Sequence, residues 1–564
     1  MSRLGDWLDE RSGWRATLAH FLDEPIPGGP QAAYVFGSVL LALVLLQAVT
    51  GAVLAAHYAP SVSDAWASVA FIEDQLTLGW FLRGLHATGA SATIVVMGAH
   101  LVQTALWGAY RKPRELNWIV GVLLLGTVLA FALTGYLLPF DQKGYWATQV
   151  ATALVGAVPV SGHALERVLL GGETFGNLTL THFYALHVIA LPALVLLLVV
   201  VHVALMRRHG VTPSSAIADA DLAARARPFW PGQALRDLAA IAIAVVAVAL
   251  WVMHEHGAGL EAPADPTSSY DARPEWYFTP LFELLKLFPG RSEVVAALVA
   301  PLVLGGIFLG LPFFDRSPSR APRDRKLPLI LLGATLFALV WLGVRAHFED
   351  ARSESYQAQR QVAAAQATRA RELAKKGMPP SGGTAVYEND PGRAARGVFA
   401  FRCSGCHSLA GEGEARAPLL DGWGTQAWVR KFLVNPDDAT FYGPTKLHEM
   451  KATTGTPEDL DALAAYVTAL GGSKVDDAPR ARGEKLFADT GCDMCHETDG
   501  TGDSQGGPNL GGWGSAAWLH DFLVDPAQPR FFGRRNQMPK FGDKLKDEDI
   551  LGLAKLIAVP LPKR

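Results

Sequence analysis

The stretch "HATGASATIVVMGAH", from His86 to His100, decides how this sequence folds. It is apolar enough for a membrane helix, yet it carries an imidazole at each end, fourteen residues apart. Fourteen residues make close to four helical turns, so both histidines lie on one face, about 21 Å apart along the axis. One such helix is a weak signal, because a buried histidine bonded to a neighbouring helix would look the same. A second helix changes that. Residues 183–206 carry His187 and His202 fifteen apart, with Pro192 between them to bend the helix and absorb the extra residue. Two helices matched in this way can hold two flat iron macrocycles, one above the other.

A haem between packed helices also needs close approach of backbone, which glycine permits. Gly37 and Gly51 are fourteen apart in one apolar segment, and Gly121 and Gly135 are fourteen apart in another. Scattered glycines in membrane helices commonly serve plain helix packing. Here they repeat the spacing of the histidines, so ligand pairs alternate with clearance pairs over four helices. The expectation is bis-histidine binding of two non-covalent haems b, by His86 with His187 and by His100 with His202. Arg83, Arg111, Arg114 and Arg207 stand near the ends of these helices. They are candidates to hold haem propionates, although topology signals account for them equally well.

The chain has 564 residues, half of them hydrophobic, with 50 Lys and Arg against 53 Asp and Glu. A net charge of −3 argues against nucleic acid as a partner. The long apolar runs fall almost entirely within residues 34–345, and the remainder is polar. Seven segments reach the roughly 20 residues needed to cross a bilayer: 34–57, 78–106, 117–138, 183–206, 236–254, 293–313 and 327–345. The fifth is the shortest. The second-to-third, fourth-to-fifth and sixth-to-seventh connections are rich in Lys and Arg, whereas residues 58–77 contain neither. The basic side is expected to be cytoplasmic, which puts the amino terminus inside and residue 347 outside. The first 30 residues lack the basic-then-apolar order of a cleaved signal.

Residues 347–376 read as an exposed helix, ended by Gly377 and the linker "MPPSGG". An internal repeat follows. "GWGTQAWVRKFLVNP" from Gly422 and "GWGSAAWLHDFLVDP" from Gly512 match at an offset of 90, so the soluble half holds two copies of one small helical module. Each copy carries Cys-x-x-Cys-His, as "CSGCH" (Cys403, Cys406, His407) and "CDMCH" (Cys492, Cys495, His496), and no cysteine is left over. This is the attachment signature of c-type haem, with two thioether links and the histidine as an axial ligand. Recurrence in matching modules on the oxidising side speaks against a zinc or dithiol site. Trp428 and Trp518, at matching positions, read as core rather than as electron relays.

The membrane half resembles cytochrome b of the quinol-oxidising bc and b6f complexes. The motifs that carry this are "FGSVLLALVLLQAVTG", "RGLHATGAS", "RKPRELNWIVG", "TGYLLPFDQKGYWA" and "PEWYF". The fifteen-residue step from His187 to His202, "KPREL" and the seven-helix count are similar to the b6f branch, as if its cytochrome b and subunit IV were fused. The soluble modules resemble single-haem class I cytochromes c. The fold implied is all-α: a seven-helix transmembrane bundle, made of a four-helix dihaem core and three further helices, then two tandem cytochrome c domains. Expected boundaries are 1–210, 211–346, a helical linker at 347–390, then 391–473 and 474–564. One departure stands out. The b6f branch has a cysteine in its first helix for an extra thioether-linked haem, and Val35 stands there in this chain.

What the resemblance implies for activity is a quinol:cytochrome c oxidoreductase subunit of a bc-type respiratory complex, coupling electron transfer to proton translocation by a Q cycle. "RPEWYFTPLFELL" (273–285) holds a glutamate among Trp276, Tyr277 and Phe278. Such a setting raises a carboxyl pKa and suits proton transfer near neutrality. Taken alone, the motif reads as an interfacial aromatic anchor. In the family it borders the quinol site, so Glu275 would accept a quinol proton, with Tyr277 and Tyr145 in the same pocket. In cytochrome c modules of this kind a sixth ligand follows the motif. "NQMPKFG" offers Met538, whereas "KLHEMKA" offers Met450 or His448, the latter aligned with Met538 without a gap. Thioether is the commoner ligand, which favours Met450, and it raises the haem potential relative to histidine.

Implied partners are a separate Rieske iron–sulfur protein, for which this chain has no spare Cys/His cluster, membrane quinol, and an electron acceptor such as a cytochrome c or a terminal oxidase. A homodimer in the bacterial inner membrane, with the cytochrome c domains on the periplasmic side, is the expected setting. Two other readings use the same residues: a transmembrane haem conduit, or a tethered relay, in either case without a bifurcating quinol site. The "PEWYF" motif speaks against the first, and replacing Glu275 with Gln would separate the second.

Overall fold

A computed structural model of the chain describes residues 3–558, apart from 267, 269, 294, 318, 380, 412, 501 and 503–505. Seven helices among the described residues are long and apolar enough to cross a membrane: α1 (Ala32–Ala55), α2 (Gly79–Leu106), α3 (Glu115–Leu137), α4 (Asn177–His209), α5 (Gly232–Glu255), α6 (Val295–Phe314) and α7 (Lys326–Arg352). These helices are apolar on all sides rather than on one stripe, as a lipid solvent demands. The chain divides into two compact units, residues 1–386 and 387–564.

In the first unit α1 packs along α2 and α3 along α4, so each histidine helix lies against a glycine helix. The extra residue between His187 and His202 is absorbed by a π-helical turn at Leu186–Ala190, directly before Pro192. Proline has no amide to continue the ladder, and a widened turn inserts one residue without breaking the helix. The bend expected from Pro192 is therefore a change of helical pitch. The fifth span is not short. It begins at Gly232 because Gln233 and Asp237, which look too polar for a membrane helix, are buried and mutually bonded at 2.7 Å. Ser38 of α1 donates to Asp237 at 2.8 Å.

Arg325 is fully buried. It donates to the Ala105 and Leu106 carbonyls at the end of α2. A cation there offsets the negative end of the helix dipole. Several shorter helices cover one end of the bundle, among them Ala65–Asp74 and Gln142–Gly156. The post-membrane helix is not free on all sides. α7 continues to Arg352, and Ser353 caps a new helix that ends at Lys376. That helix buries Ala370, Leu373 and Ala374 and grips Asp74 with Arg371 (2.6 Å) and Lys375 (3.5 Å).

The second unit holds both repeats around one core. Its two "GWG" loops meet each other: Trp423 lies 5.0 Å from Trp513 and 6.0 Å from Trp518, ring centre to ring centre. Gly424 and Gly514 both have positive φ, and a Cβ on Gly424 would come within 3.1 Å of the Gly514 Cα. Only glycine allows the two backbones to approach this closely. Trp428 and Trp518 are buried in the shared core, and their indole N–H groups donate to the carbonyls of Leu419 and Asn509.

Candidate functional site

α2 and α4 bring His86 and His187 to one level, with ring centres 6.3 Å apart and planes at 70°. The hydrogen bonds around each ring fix which nitrogen is free. Thr50 donates its own hydroxyl proton to the Leu46 carbonyl at 2.7 Å, so toward His86 Nδ1, 2.9 Å away, it accepts. Thr134 does the same, donating to Ala130 at 2.8 Å and lying 3.1 Å from His187 Nδ1. Each Nδ1 therefore carries the proton and each Nε2 keeps its lone pair. Thr50 and Thr134 were not singled out in the sequence. Both directly precede a singled-out glycine, which is the signal that was available.

Those glycines clear the imidazoles themselves. A Cβ on Gly135 would lie 2.5 Å from His187 Cε1, and one on Gly51 would lie 3.0 Å from His86 Cε1. At the second level Gly121 stands in the same relation to His202, at 3.3 Å, while Gly37 faces open space. From spacing alone this clearance is expected to serve the macrocycle. At three of the four positions the ring of the histidine needs it first. His202 Nδ1 bonds to the Asn117 carbonyl at 3.2 Å. His100 Nδ1 is buried with no hydrogen-bond partner among the described residues.

The expected propionate arginines are engaged elsewhere. Arg83 forms a buried pair with Glu73 at 2.6 Å and donates to the carbonyls of Ala258 and Gly259. The anion it holds in this structure is thus a side chain of its own chain. Arg114 donates to the His209 carbonyl, Arg111 to that of Ser317, and Arg207 pairs with Glu24 over the ring of Phe21.

The "PEWYF" loop is stitched to α2, which carries His86, and to α3, which carries Thr134 and Gly135. Trp276 Nε1 donates to Ser91 Oγ on α2 at 3.4 Å, and Tyr136, the residue after Gly135, donates to the Arg273 carbonyl at 3.3 Å. Glu275 differs from expectation. Instead of being enclosed by rings, its side chain is about a third exposed and pairs with Lys143 Nζ at 2.7 Å. Trp276 is exposed, whereas Tyr277 is partly buried and burial pushes its hydroxyl pKa up. Tyr145 packs at 5% exposure against Phe140, Trp146 and Phe175 rather than lining an open pocket. Lys143, two residues earlier, is the side chain that reaches Glu275, and no short-range pattern in the sequence marked it.

In the second unit His407 Nδ1 and His496 Nδ1 each donate to a proline carbonyl, of Pro418 and Pro508, at 2.8 Å. Burial holds both imidazoles below their ordinary pKa, so they are neutral near pH 7 and offer Nε2. None of the four cysteines is paired in a disulfide. Met538 and Met450 both pack against the core. His448 is exposed, and its Nδ1 lies 2.9 Å from Asp437.

Three family models match the chain: cytochrome b/b6/petB over residues 21–210, cytochrome b(C-terminal)/b6/petD over 263–363, and cytochrome c over 393–471 and 480–558. Cytochrome b6 of Synechococcus sp. (strain JA-3-3Ab) is 38% identical over 216 residues, covering 38% of this chain and 99% of that protein. Cytochrome b of Cereibacter sphaeroides is 32% identical over 370 residues, covering 60% and 82%. The chain belongs to the cytochrome b/b6 family. It is a cytochrome b that also carries two cytochrome c modules. The cytochrome bc complex cytochrome b subunit of Chlorobaculum thiosulfatiphilum is 34% identical, covering 55% of this chain and 71% of that one. A solved chain titled hyperthermophilic respiratory Complex III matches with a TM-score of 0.53 at 27% identity, covering 64% of this chain and 96% of its own.

The residues of this cytochrome b fit the group its family name implies. A metal–imidazole bond of about 2 Å puts the ring centres of two ligands on one iron roughly 6 Å apart. The His86–His187 ring centres stand 6.3 Å apart, which matches that spacing. The Nδ1 acceptors supply the outer hydrogen bond that metal-bound histidines use.

Proposed function

We propose that this cytochrome b–cytochrome c chain is the quinol-oxidising subunit of a bc-type complex and charges the membrane by a Q cycle. Bound haem, two b and two c, would supply one-electron redox chemistry. His86 with His187 and His100 with His202 would be the b ligands. Cys403, Cys406 and His407, and Cys492, Cys495 and His496, would hold the c groups. The sixth positions go to Met450 and Met538, because His448 is at the surface beside Asp437. The basic connections put the amino terminus in the cytoplasm and the c modules outside, in a bacterial inner membrane. A Rieske protein, a cytochrome c or oxidase acceptor and a second copy of the complex are the expected partners.

The observation that supports this reading is the tethering of the "PEWYF" loop to α2 and α3 close to His86, Thr134 and Gly135. On this reading the tether would set a carboxylate beside the place where quinol would lose electrons. Glu275 would accept the proton of a quinol hydroxyl, beside the partly buried Tyr277. Replacing Glu275 by Gln keeps the shape and removes the base. Quinol-dependent reduction of the c modules in purified complex should slow by about 10²-fold or more, the usual worth of a positioned base. An unchanged rate would sink the quinol reading in favour of a plain conduit.

A further inference from the structure

We propose that Lys143 is a positioning residue for quinol oxidation, holding the Glu275 carboxylate in its proton-accepting pose; this rests on the reading of Glu275 above. Lys143 Nζ lies 2.7 Å from Glu275 Oε1. Both backbones beneath this pair are fixed. Lys143 is the second residue of helix Gln142–Gly156, whose start is held by Asp141. That buried carboxylate accepts from the amides of Gly144 at 2.8 Å and Glu261 at 3.1 Å. On the other side, the Glu275 carbonyl accepts from the amides of Phe278 at 2.8 Å and Thr279 at 3.1 Å.

What remains free is side-chain torsion. The ammonium is confined further by the ring of Tyr136, 5.6 Å from Nζ to centroid, and Tyr136 is itself bonded to the Arg273 carbonyl. A glutamate side chain left alone loses rotamer freedom when it must react from one pose. Lys143 removes that freedom in advance by occupying one carboxylate oxygen, and Oε2 stays available to a quinol hydroxyl. Neighbouring arginine does not compete for the role, since Arg273 is committed to Asp271 and Asp350. The ion pair joins residues 132 positions apart, and so ties the quinol loop to the helix after α3.

The test compares Lys143→Met, Lys143→Arg and Glu275→Gln, alone and combined, in the full complex with a soluble quinol analogue as donor. Lys143→Met should lower kcat by about 10-fold or more, the scale of a small misplacement of a reacting group, with KM nearly unchanged. Lys143→Arg, which keeps a cation within reach, should restore most of kcat. In the Glu275→Gln background Lys143→Met should change nothing further, as expected for residues acting as one unit. If Lys143→Met leaves kcat intact while Glu275→Gln is impaired, the positioning role is wrong and the quinol reading survives. Equal slowing by Lys143→Met with and without Glu275 would make Lys143 merely structural and also overturn the proposal. If Lys143→Met does not assemble, Lys143→Gln takes its place under the same criteria. An unimpaired Glu275→Gln would overturn the parent reading itself.

Discussion

Replacing Gly135 by Ala tests the steric logic of the first level most directly. The added Cβ would sit 2.5 Å from His187 Cε1 and 3.1 Å from Nδ1. Comfortable carbon contacts begin near 3.5 Å, so the imidazole must retreat by about 1 Å. That movement stretches the bond to Thr134 and spoils the alignment with His86. Overpacking of this kind costs about 1–3 kcal/mol, which corresponds to roughly 5- to 150-fold weaker haem binding. The same change at Gly51 meets His86 at 3.0 Å, and at Gly121 it meets His202 at 3.3 Å, so the damage should fall in that order. Acid-acetone extraction of the purified chain, followed by a pyridine haemochrome assay, counts non-covalent haem. Gly135→Ala should approach one protohaem per chain instead of the two proposed, and Gly121→Ala should keep both. Full occupancy in Gly135→Ala, or equal loss in all three variants, would refute the clearance argument.

Met450→Ala should turn the first c haem high-spin while His448→Ala leaves the spectrum alone; the reverse would assign His448. Thr134→Val removes the acceptor on His187 Nδ1–H and weakens the ligand as a donor, so the potential of that haem should rise by about 20–60 mV, read by redox titration. His520 lies between Asp521 at 3.1 Å and Asp547 at 2.9 Å, and both raise its pKa above the ordinary value. Its contribution to stability is therefore complete below the unfolded value and lost as pH rises through the folded one. Heating the full chain while following c-haem absorbance should show the second module weakening as pH rises above the ordinary histidine value of about 6.5. For a surface pair the effect stays below about 1 kcal/mol, and His520→Gln should flatten it.

The seven spans were legible because length and apolarity are properties of a run of residues, independent of what the run touches. Their ends were less so. Gln233 falls before the expected start of the fifth span at 236, yet it bonds to Asp237 inside α5. The helix Glu354–Lys376 shows the same limit from the polar side. Its composition reads as solvent-exposed, and only the Arg371–Asp74 contact, 297 residues apart, reveals which face is docked. Lys143 and Glu275 belong with these. An ion pair between distant segments leaves no periodic trace.

The histidines and glycines were legible through spacing alone, since four turns of helix return a side chain to the same face at a new depth. What spacing could not say is that the two levels are unequal. Thr50 and Thr134 each precede the glycine of the first level, whereas Phe36 and Val120 precede those of the second. Neither apolar residue can accept from an imidazole. The second level falls back on one backbone carbonyl, from Asn117, and leaves His100 Nδ1 without a partner among the described residues. An acceptor on Nδ1–H makes imidazole a stronger donor to a metal, and stronger donation lowers a haem potential. The first level has two such acceptors and the second has one, so as ligands of the proposed haems these sets would by themselves favour electron flow from the level beside Glu275 toward the other. Swapping the asymmetry, with Val at 50 and 134, should narrow that difference without touching a ligand.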